Sequence, residues 1–233
     1  LAGGWLAGFQ ECVQRIPAVP CTVTGTPVRR AFLTHPSRAE ALARFGLDPA
    51  RKTLLVMGGS QGAAGVNAAM MEAAAHLQAA GANCQFIHIT GSADEAKVRV
   101  FYQQNGIPAW IAPFHHAMQD AYSAADLAVA RSGAASLTEL AFFGLPSVLI
   151  PYPYAAEDHQ TFNAQIFSGA GAAILLQERE LSGGRLAQEL GRILGDGGTR
   201  ARMAQACSAL HTGDAAQKVA AVLEAAAEGK RRT

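Results

Sequence analysis

The sequence predicts an α/β fold, a doubly wound parallel sheet of six strands followed by extra C-terminal helices. Short apolar runs alternate with patterns of helical period along most of the chain, and glycine-rich turns join them. A short apolar run between turn residues indicates a buried strand, whereas apolar residues spaced three and four apart indicate a helix. The predicted strands are residues 53–57, 84–90, 110–112, 127–130, 147–151 and 172–176.

The order of these strands follows from their connections. Strand–helix–strand units give parallel neighbours with right-handed crossovers, and a doubly wound sheet of this kind has the strand order 3-2-1-4-5-6. The first and fourth predicted strands therefore lie side by side at the switch point. Such sheets bind their ligands there, beyond the carboxyl ends of the strands.

The two ends of the chain depart from this alternation. After residue 176 the pattern is wholly helical, over residues 181–194, 200–210 and 215–227. Because the chain opens in the middle of a pattern, we expect it to be part of a longer protein. Before the first strand we expect a remnant of another lobe in residues 1–24, a linker in residues 25–32 and a short helix over residues 37–45, so that the main domain covers residues 33–233.

The composition narrows the function classes. Half of the residues (50%) are hydrophobic and 16% are charged, which supports a sizeable core. A net charge of +1 argues against a nucleic-acid surface, which normally carries a basic excess. The four cysteines include no C-x-x-C pair, so we expect reduced thiols rather than a metal or disulfide framework. No apolar run reaches the roughly 18 residues that a membrane span needs.

The turn "GGSQG" at residues 58–62 joins the first strand to the first helix. It lacks the G-x-G-x-x-G spacing of dinucleotide sites, and Thr90 stands where those sites have an acidic residue for the ribose. It also lacks the lysine of a nucleoside-triphosphatase loop, which excludes that class. Two interpretations remain: a phosphate-binding turn of another kind, or a tight turn whose glycines let strand and helix pack.

A second turn of the same design follows the fourth strand, in "ARSGAASLTELAFFG" at residues 130–144. The two turns should open on one crevice, each with unpaired N–H groups and the positive end of a helix dipole. Two helix ends aimed at one spot suit a diphosphate. Glu139 lies in the second turn of the second helix, where it is either a partner of the helix dipole or an acceptor for both hydroxyls of a ribose.

The segment "PYPYAAEDHQTFNAQ" at residues 151–165 ends the next strand outward. Gln160 and Asn163 are three apart, so they share one face of the following helix, and their amides suit a polyol such as a sugar. Capping of that helix by Asp158 is the plainer interpretation of the segment, and both interpretations can hold together. His115 and His116 are adjacent and point to opposite sides of an extended chain, so we predict no metal site and no cofactor.

Three segments together resemble the donor-binding half of the MurG family, bacterial peptidoglycan transferases of glycosyltransferase family 28. They are "TGTPVRRAF" at 24–32, "GGSQGAAGVN" at 58–67 and "ARSGAASLTELAFFGLPSVLIPYPYAAEDHQTFNA" at 130–164. The resemblance covers the chain from Val23 onward. It implies a Rossmann-like C-terminal lobe of a two-lobed GT-B glycosyltransferase that moves N-acetylglucosamine from UDP-N-acetylglucosamine to lipid-linked muramyl-pentapeptide, with inversion.

The resemblance also implies roles for individual residues. Arg29 corresponds to an arginine that contacts the donor, Ser60 to the phosphate-loop serine, and His115 to the position that reads uracil through backbone groups. Residues 134–139 correspond to the run that lines the diphosphate and ribose, with Glu139 on the ribose hydroxyls, and Gln160 to the glutamine on the sugar. Thr26 stands where the family usually has Asn. The expected donor-binding positions are Arg29, Ser60, Gln61, Gly62, His115, Ala134, Ala135, Ser136, Leu137, Thr138, Glu139, Gln160 and Asn163.

The family's catalytic base and acceptor-binding residues belong to its N-terminal lobe, so we assign no catalytic residue here. That lobe is also the part that places such enzymes on the cytoplasmic face of the bacterial inner membrane and binds the lipid-linked acceptor. Two alternatives stay open at this point. One is a stand-alone UDP-N-acetylglucosamine-binding subunit that needs a separate membrane-bound acceptor subunit, and the other is a UDP-sugar epimerase.

Overall fold

A computed structural model describes residues 4–15, 20–58 and 63–231 of the chain. Its centre is a sheet of six strands that all run parallel, in the order β5-β4-β3-β6-β7-β8. This confirms the predicted sheet and its strand order. The main-sheet strands are β3 (Lys52–Met57), β4 (Cys84–Ile89), β5 (Ala109–Ala112), β6 (Leu127–Ala130), β7 (Ser147–Leu149) and β8 (Ala173–Leu175).

Helices connect the strands and complete the C-terminal part of the fold. Their bounds agree with the predicted patterns to within a few residues, except at the C-terminal end of the last helix. The helices are α1 (Arg38–Phe45), α2 (Ala64–Ala79), α3 (Glu95–Gln104), α4 (Met118–Ala124), α5 (Ala134–Phe143), α6 (His159–Gly169), α7 (Gly183–Gly195), α8 (Gly197–Ala209) and α9 (Ala215–Arg231). Among the described residues, no helix combines the length and the apolar character that a membrane crossing requires.

The sheet is buried on both faces, which explains why its strands read as continuous apolar runs. Along β3, Leu55 and Met57 enter a core cluster with residues of α1, α4, α5 and α6. Leu54 and Val56 enter a second cluster with residues of α2, α3 and α7. The alternation follows from the two-residue period of a strand, and it places one layer of helices on each face of the sheet.

Local signals account for most differences between predicted and observed bounds. Strand β7 ends at Leu149 rather than at residue 151, since Pro151 has no N–H to donate to a neighbouring strand. Helix α8 begins three residues earlier than predicted because the side chain of Asp196 accepts from the backbone N–H groups of Gly198 and Thr199. Helix α1 begins with a capping box between Ser37 and Glu40.

The residues before α1 form structure that the sequence analysis only partly anticipated. Strands β1 (Trp5–Ala7) and β2 (Cys21–Val23) pair in parallel as a separate two-stranded sheet. A short 3₁₀ helix, Arg30–Thr34, begins within the predicted linker of residues 25–32 and extends two residues beyond it. Phe32 within that helix is fully buried and packs against Tyr122, Phe142 and Phe143. The end of the predicted linker therefore contributes to the core of the main sheet.

Candidate functional site

The carboxyl ends of β3 and β6 meet at the switch point of the sheet. Met57 and Ala130, the last residues of these two strands, are paired in register. Gly58 and Arg131 therefore leave the sheet side by side, each at the start of one glycine turn. The predicted phosphate-loop residues Ser60, Gln61 and Gly62 lie outside the described residues. The chain is described again from Ala63, which precedes the first residue of α2.

The first turn of α5 presents its backbone to this edge. Gly133 occupies the N-cap position, and no side chain caps the helix there. Ala134 and Ala135 are exposed and Ser136 is half-buried. The first N–H groups of a helix have no partner inside it, so this end can bind an anion. Helix α2 likewise begins without a side-chain cap.

The rest of the predicted run 134–139 is less available. Leu137 is fully buried, and its N–H already donates to the carbonyl of Gly133. Thr138 is buried, and its hydroxyl donates to the carbonyl of Ala134. These two side chains therefore stabilise the helix and its packing. The groups that remain for a ligand are the first-turn amides and the carboxylate of Glu139.

An open cleft lies between the segment around Arg29, which precedes α1, and the turn before α4. Arg29 and Glu139 face each other there, with a guanidinium nitrogen of Arg29 2.9 Å from Oε1 of Glu139. The Arg29 guanidinium also lies 4.5 Å from the centre of the Phe32 ring, a cation–π contact. The cleft is lined by Arg29, Met57, Ile89, Phe114, His115, Met118, Tyr122, Ser136 and Glu139.

Glu139 is held from a second side. The hydroxyl of Tyr122 donates to Oε2 of Glu139 at 2.7 Å, so each carboxylate oxygen has one donor. The side chain of Glu139 keeps 16% of its surface exposed, whereas Arg29 keeps 51%. Burial and the neighbouring Glu139 carboxylate raise the pKa of Tyr122 well above its ordinary value. The phenol therefore remains a hydrogen-bond donor at neutral pH.

His115 and Phe114 also line this cleft. The His115 ring packs against Phe45 and Trp110, with centroid distances of 5.3 and 5.1 Å. Its Nε2 atom is buried without a hydrogen-bond partner. Burial lowers the pKa of His115, an effect that the charge of Asp120 opposes. Phe114 is 53% exposed and lines the same cleft, which gives it a flat apolar surface for a planar ligand group.

Gln160 and Asn163 reach the same edge of the sheet but serve internal bonds. The backbone N–H of Tyr152 donates to Oε1 of Gln160 at 3.0 Å. The amide of Asn163 donates to the carbonyl of Ser132 at 3.1 Å, and the Ser132 hydroxyl donates to the carbonyl of Gln160 at 2.7 Å. These bonds join the turn after β6 to the start of α6. Asp158 has a left-handed backbone and makes no side-chain cap, so the capping interpretation was wrong.

Arg131 is a site-edge residue that sequence reasoning missed. It is nearly buried and donates from one nitrogen to the carbonyls of Ile150 and Pro151 and to Oε2 of Glu178, the last at 2.6 Å. A Cβ atom on Gly65, in the first turn of α2, would lie 2.9 Å from Oε1 of Glu178. The ion pair thus ties the turn after β6 to the segment after β8, and the Glu178 side chain lies close against the first turn of α2. The sequence signal that could have indicated Arg131 is that it is a single charged residue within a turn of small residues.

A buried polar network supports α2 from below. His88, on β4, lies between Oδ1 of Asn67, 3.1 Å from its Nε2, and the hydroxyl of Tyr102, 3.3 Å from its Nδ1. The Asn67 amide donates to the carbonyl of Thr90 and to Asp94. Burial lowers the pKa of His88 to about 3. The network anchors the first turns of α2 to the carboxyl end of β4.

Within the described part of the chain, no group of three or more His, Cys, Asp or Glu side chains is arranged to hold a metal ion. Among the described residues, the site offers a ligand the backbone amides of α5, the Arg29 guanidinium and the Glu139 carboxylate. Positive groups and a fixed carboxylate on one cleft suit a ligand that combines an anion with neighbouring hydroxyls.

Comparisons with known proteins identify relatives across most of the chain. The family described as "Glycosyltransferase family 28 C-terminal domain" matches this chain over residues 53–219. The chain is 40% identical over 217 residues to the UDP-N-acetylglucosamine–N-acetylmuramyl-(pentapeptide) pyrophosphoryl-undecaprenol N-acetylglucosamine transferase of Sorangium cellulosum, covering 92% of this chain and 52% of that protein. It is 40% identical over 230 residues to the same transferase of Synechococcus elongatus, covering 93% and 59%.

A solved structure agrees with these relatives. The crystal structure of MurG from Acinetobacter baumannii superposes with a TM-score of 0.77 at 26% identity, covering 96% of this chain and 61% of that one. The chain therefore spans between about half and three-fifths of the length of the proteins it matches.

Proposed function

Because this chain belongs to glycosyltransferase family 28, as its C-terminal domain, we propose that it is the donor-binding part of an N-acetylglucosamine transferase of peptidoglycan synthesis. The donor is UDP-N-acetylglucosamine, and the acceptor is a lipid-linked muramyl-pentapeptide. The sugar passes to the acceptor with inversion at its anomeric carbon. The relatives named above carry that donor and that acceptor in their names.

One observation carries the proposal: a fixed carboxylate, an arginine and an open helix N-terminus share one cleft edge at the switch point. In the proposed complex, Glu139 accepts from the two ribose hydroxyls, and the first-turn amides of α5 bind the diphosphate. The positive charge of Arg29 lies beside Oε1 of Glu139, at the same cleft. A carboxylate suits a vicinal diol, and a helix start suits phosphoryl oxygens.

The remaining predicted residues take roles consistent with their positions. We propose that the uracil ring of the donor lies between Phe114 and the backbone at His115. Ser60, Gln61 and Gly62 then complete the diphosphate site. Gln160 and Asn163 hold the loop beside the sugar through their internal bonds to Tyr152 and Ser132. Gln160 turns its amide nitrogen to the sugar while its oxygen stays bound.

The chemistry requires stabilisation of the departing diphosphate and a base for the acceptor hydroxyl. Prearranged backbone N–H donors supply the first, because they bind the charge that develops on the leaving oxygen without reorganising, and the Arg29 guanidinium adds a positive charge at the same cleft. We propose that the catalytic base, the acceptor site and attachment to the cytoplasmic face of the membrane correspond to the part of the relatives that this chain does not cover. This chain then contributes donor binding and departure of UDP.

Isothermal titration of the 233-residue chain with UDP-N-acetylglucosamine tests donor binding. We expect saturable binding that Glu139→Gln weakens by about tenfold to a hundredfold, because it removes the charge from two hydrogen bonds. The matched control is Glu224→Gln, which neutralises an exposed glutamate on α9 outside the cleft.

The control should bind as tightly as the unchanged chain. Absence of binding in the unchanged chain, under conditions in which its circular dichroism shows a folded protein, would refute the proposed function. Equal weakening by both substitutions would show that Glu139 has no particular place in the donor site.

A further inference from the structure

Tyr122 is a buried residue that neither the glycine turns nor the predicted site residues include. It lies in α4 and is 2% exposed. Its ring stacks on Phe143, with centroids 5.1 Å apart and planes inclined by 20°, and meets the edge of Phe32 at 5.9 Å. Close packing on two sides holds the ring, and with it the position of its hydroxyl.

The hydroxyl uses its single proton on Glu139. It lies 2.7 Å from Oε2 of that carboxylate and also touches Sδ of Met57, the last residue of β3. A carboxylate has about four acceptor positions on its two oxygens. Tyr122 and Arg29 occupy one on each oxygen, which leaves about two for a ligand. The two neighbouring hydroxyls of a ribose offer that number of donors.

The two existing donors differ in how firmly they are held. Arg29 is half exposed at the cleft surface, whereas Tyr122 is packed into the core. A solvated guanidinium is free to move toward an arriving anion, whereas moving the phenol would disrupt the packing of the core. Of the two, Tyr122 is therefore the group that keeps the carboxylate in one orientation before and after a ligand binds.

We propose that Tyr122 is a positioning residue that fixes the Glu139 carboxylate for the two ribose hydroxyls of a uridine diphosphate donor. This inference rests on the proposed function, since it assumes that the nucleotide occupies the cleft. Tyr122 does not touch the ligand itself; it acts through Glu139. Its effect should therefore depend on whether the ligand has ribose hydroxyls.

The test compares two nucleotides and two matched variants. UDP and 2′,3′-dideoxy-UDP share the base and diphosphate but differ in the hydroxyls that Glu139 would bind. Tyr122→Phe removes the hydrogen bond and keeps the ring. Tyr102→Phe removes another buried phenol hydroxyl, which contacts His88 and not Glu139, so it reports the cost of losing a core hydroxyl. Dissociation constants come from isothermal titration, and thermal melting checks that both variants fold.

We expect Tyr122→Phe to weaken UDP binding by about fivefold to tenfold, the scale of one lost hydrogen bond to a charged group that keeps a second donor. Binding of the dideoxy nucleotide should stay within about twofold, so the preference for UDP shrinks. Tyr102→Phe should leave that preference unchanged.

Each other outcome is decisive. If the unchanged chain binds neither nucleotide, the proposed function fails. If it binds UDP and Tyr122→Phe weakens both nucleotides equally, Tyr122 only stabilises the fold, and the inference is wrong. No change with either nucleotide also overturns it.

Discussion

Acidification should destabilise this protein through one buried histidine. His88 is fully buried on strand β4, between the amide of Asn67 and the phenol of Tyr102. Both partners are neutral, and the nearest acid of the network, Asp94, binds Asn67 rather than the histidine. Burial consequently lowers the pKa of His88 from 6.5 to about 3.

The magnitude follows from linkage between proton binding and folding. Between pH 6.5 and about 3, the unfolded chain binds a proton at this position and the folded chain does not. The stabilisation is thus complete above the unfolded pKa and is lost as the pH falls. Each pH unit in that window costs about 1.4 kcal/mol, so the free energy of unfolding should fall by about 2 kcal/mol between pH 7 and pH 5 from His88 alone. That is a large part of the 5–15 kcal/mol typical of a domain.

Urea unfolding at pH 5, 6 and 7, for the unchanged chain and for His88→Gln, measures this contribution. The variant has its own baseline stability, but its pH dependence should be shallower by about 2 kcal/mol over the range. His76→Gln, which removes an exposed histidine on α2, is the matched control. Parallel pH profiles for the unchanged chain and His88→Gln would show that His88 is protonated in the folded protein, and the reasoning from burial would be refuted.

Two further predictions concern packing and reactivity. Gly183→Ala should lower the free energy of unfolding by about 1–3 kcal/mol, because the new Cβ would clash with the Cβ of Glu72 where α7 meets α2. Gly184→Ala is the control: its Cβ would meet open space, so chemical unfolding should show no change or a stabilisation of up to about 1 kcal/mol. Burial raises the pKa of Cys84 to about 11 and of Cys207 to about 12. At pH 8 these two thiols should therefore resist a thiol reagent that reacts with the half-buried cysteines, and they should react only when urea unfolds the chain. Labelling of either one at the rate of an exposed thiol would contradict this prediction.

The sheet could be predicted because its signals are local and repeat. Each strand is an apolar run such as Leu54 to Met57, and each connection is long enough for a crossover helix, so the order of strands follows from general rules. Glu139 could be placed near the site for the same reason, because its position depends only on where helix α5 begins. The two-stranded sheet of β1 and β2 was missed because each strand has three residues, too few to show a period.

The support around the site could not be read from the chain. Arg29 and Glu139 are separated by 110 positions, and nothing in either segment indicates that their side chains form an ion pair. Tyr122 reads as an ordinary core aromatic in a short helix of seven residues, and its hydroxyl acquires a role only through the tertiary contact. For Gln160 the sequence indicates an amide at the edge of the sheet but not that its oxygen is already bound to Tyr152.

The burial of Phe32 constrains how this part of the protein can be exchanged between relatives. Its ring lies against three aromatics of α4 and α5, while Arg29, three residues earlier, contacts Phe32 and Glu139. A chimera joined after residue 33 would combine an arginine and a phenylalanine from one parent with the pocket of another. A chimera joined before residue 28 takes Arg29, Phe32 and the aromatic residues around Phe32 from the same parent. We therefore expect the breakpoints that preserve the proposed nucleotide binding to lie before residue 28.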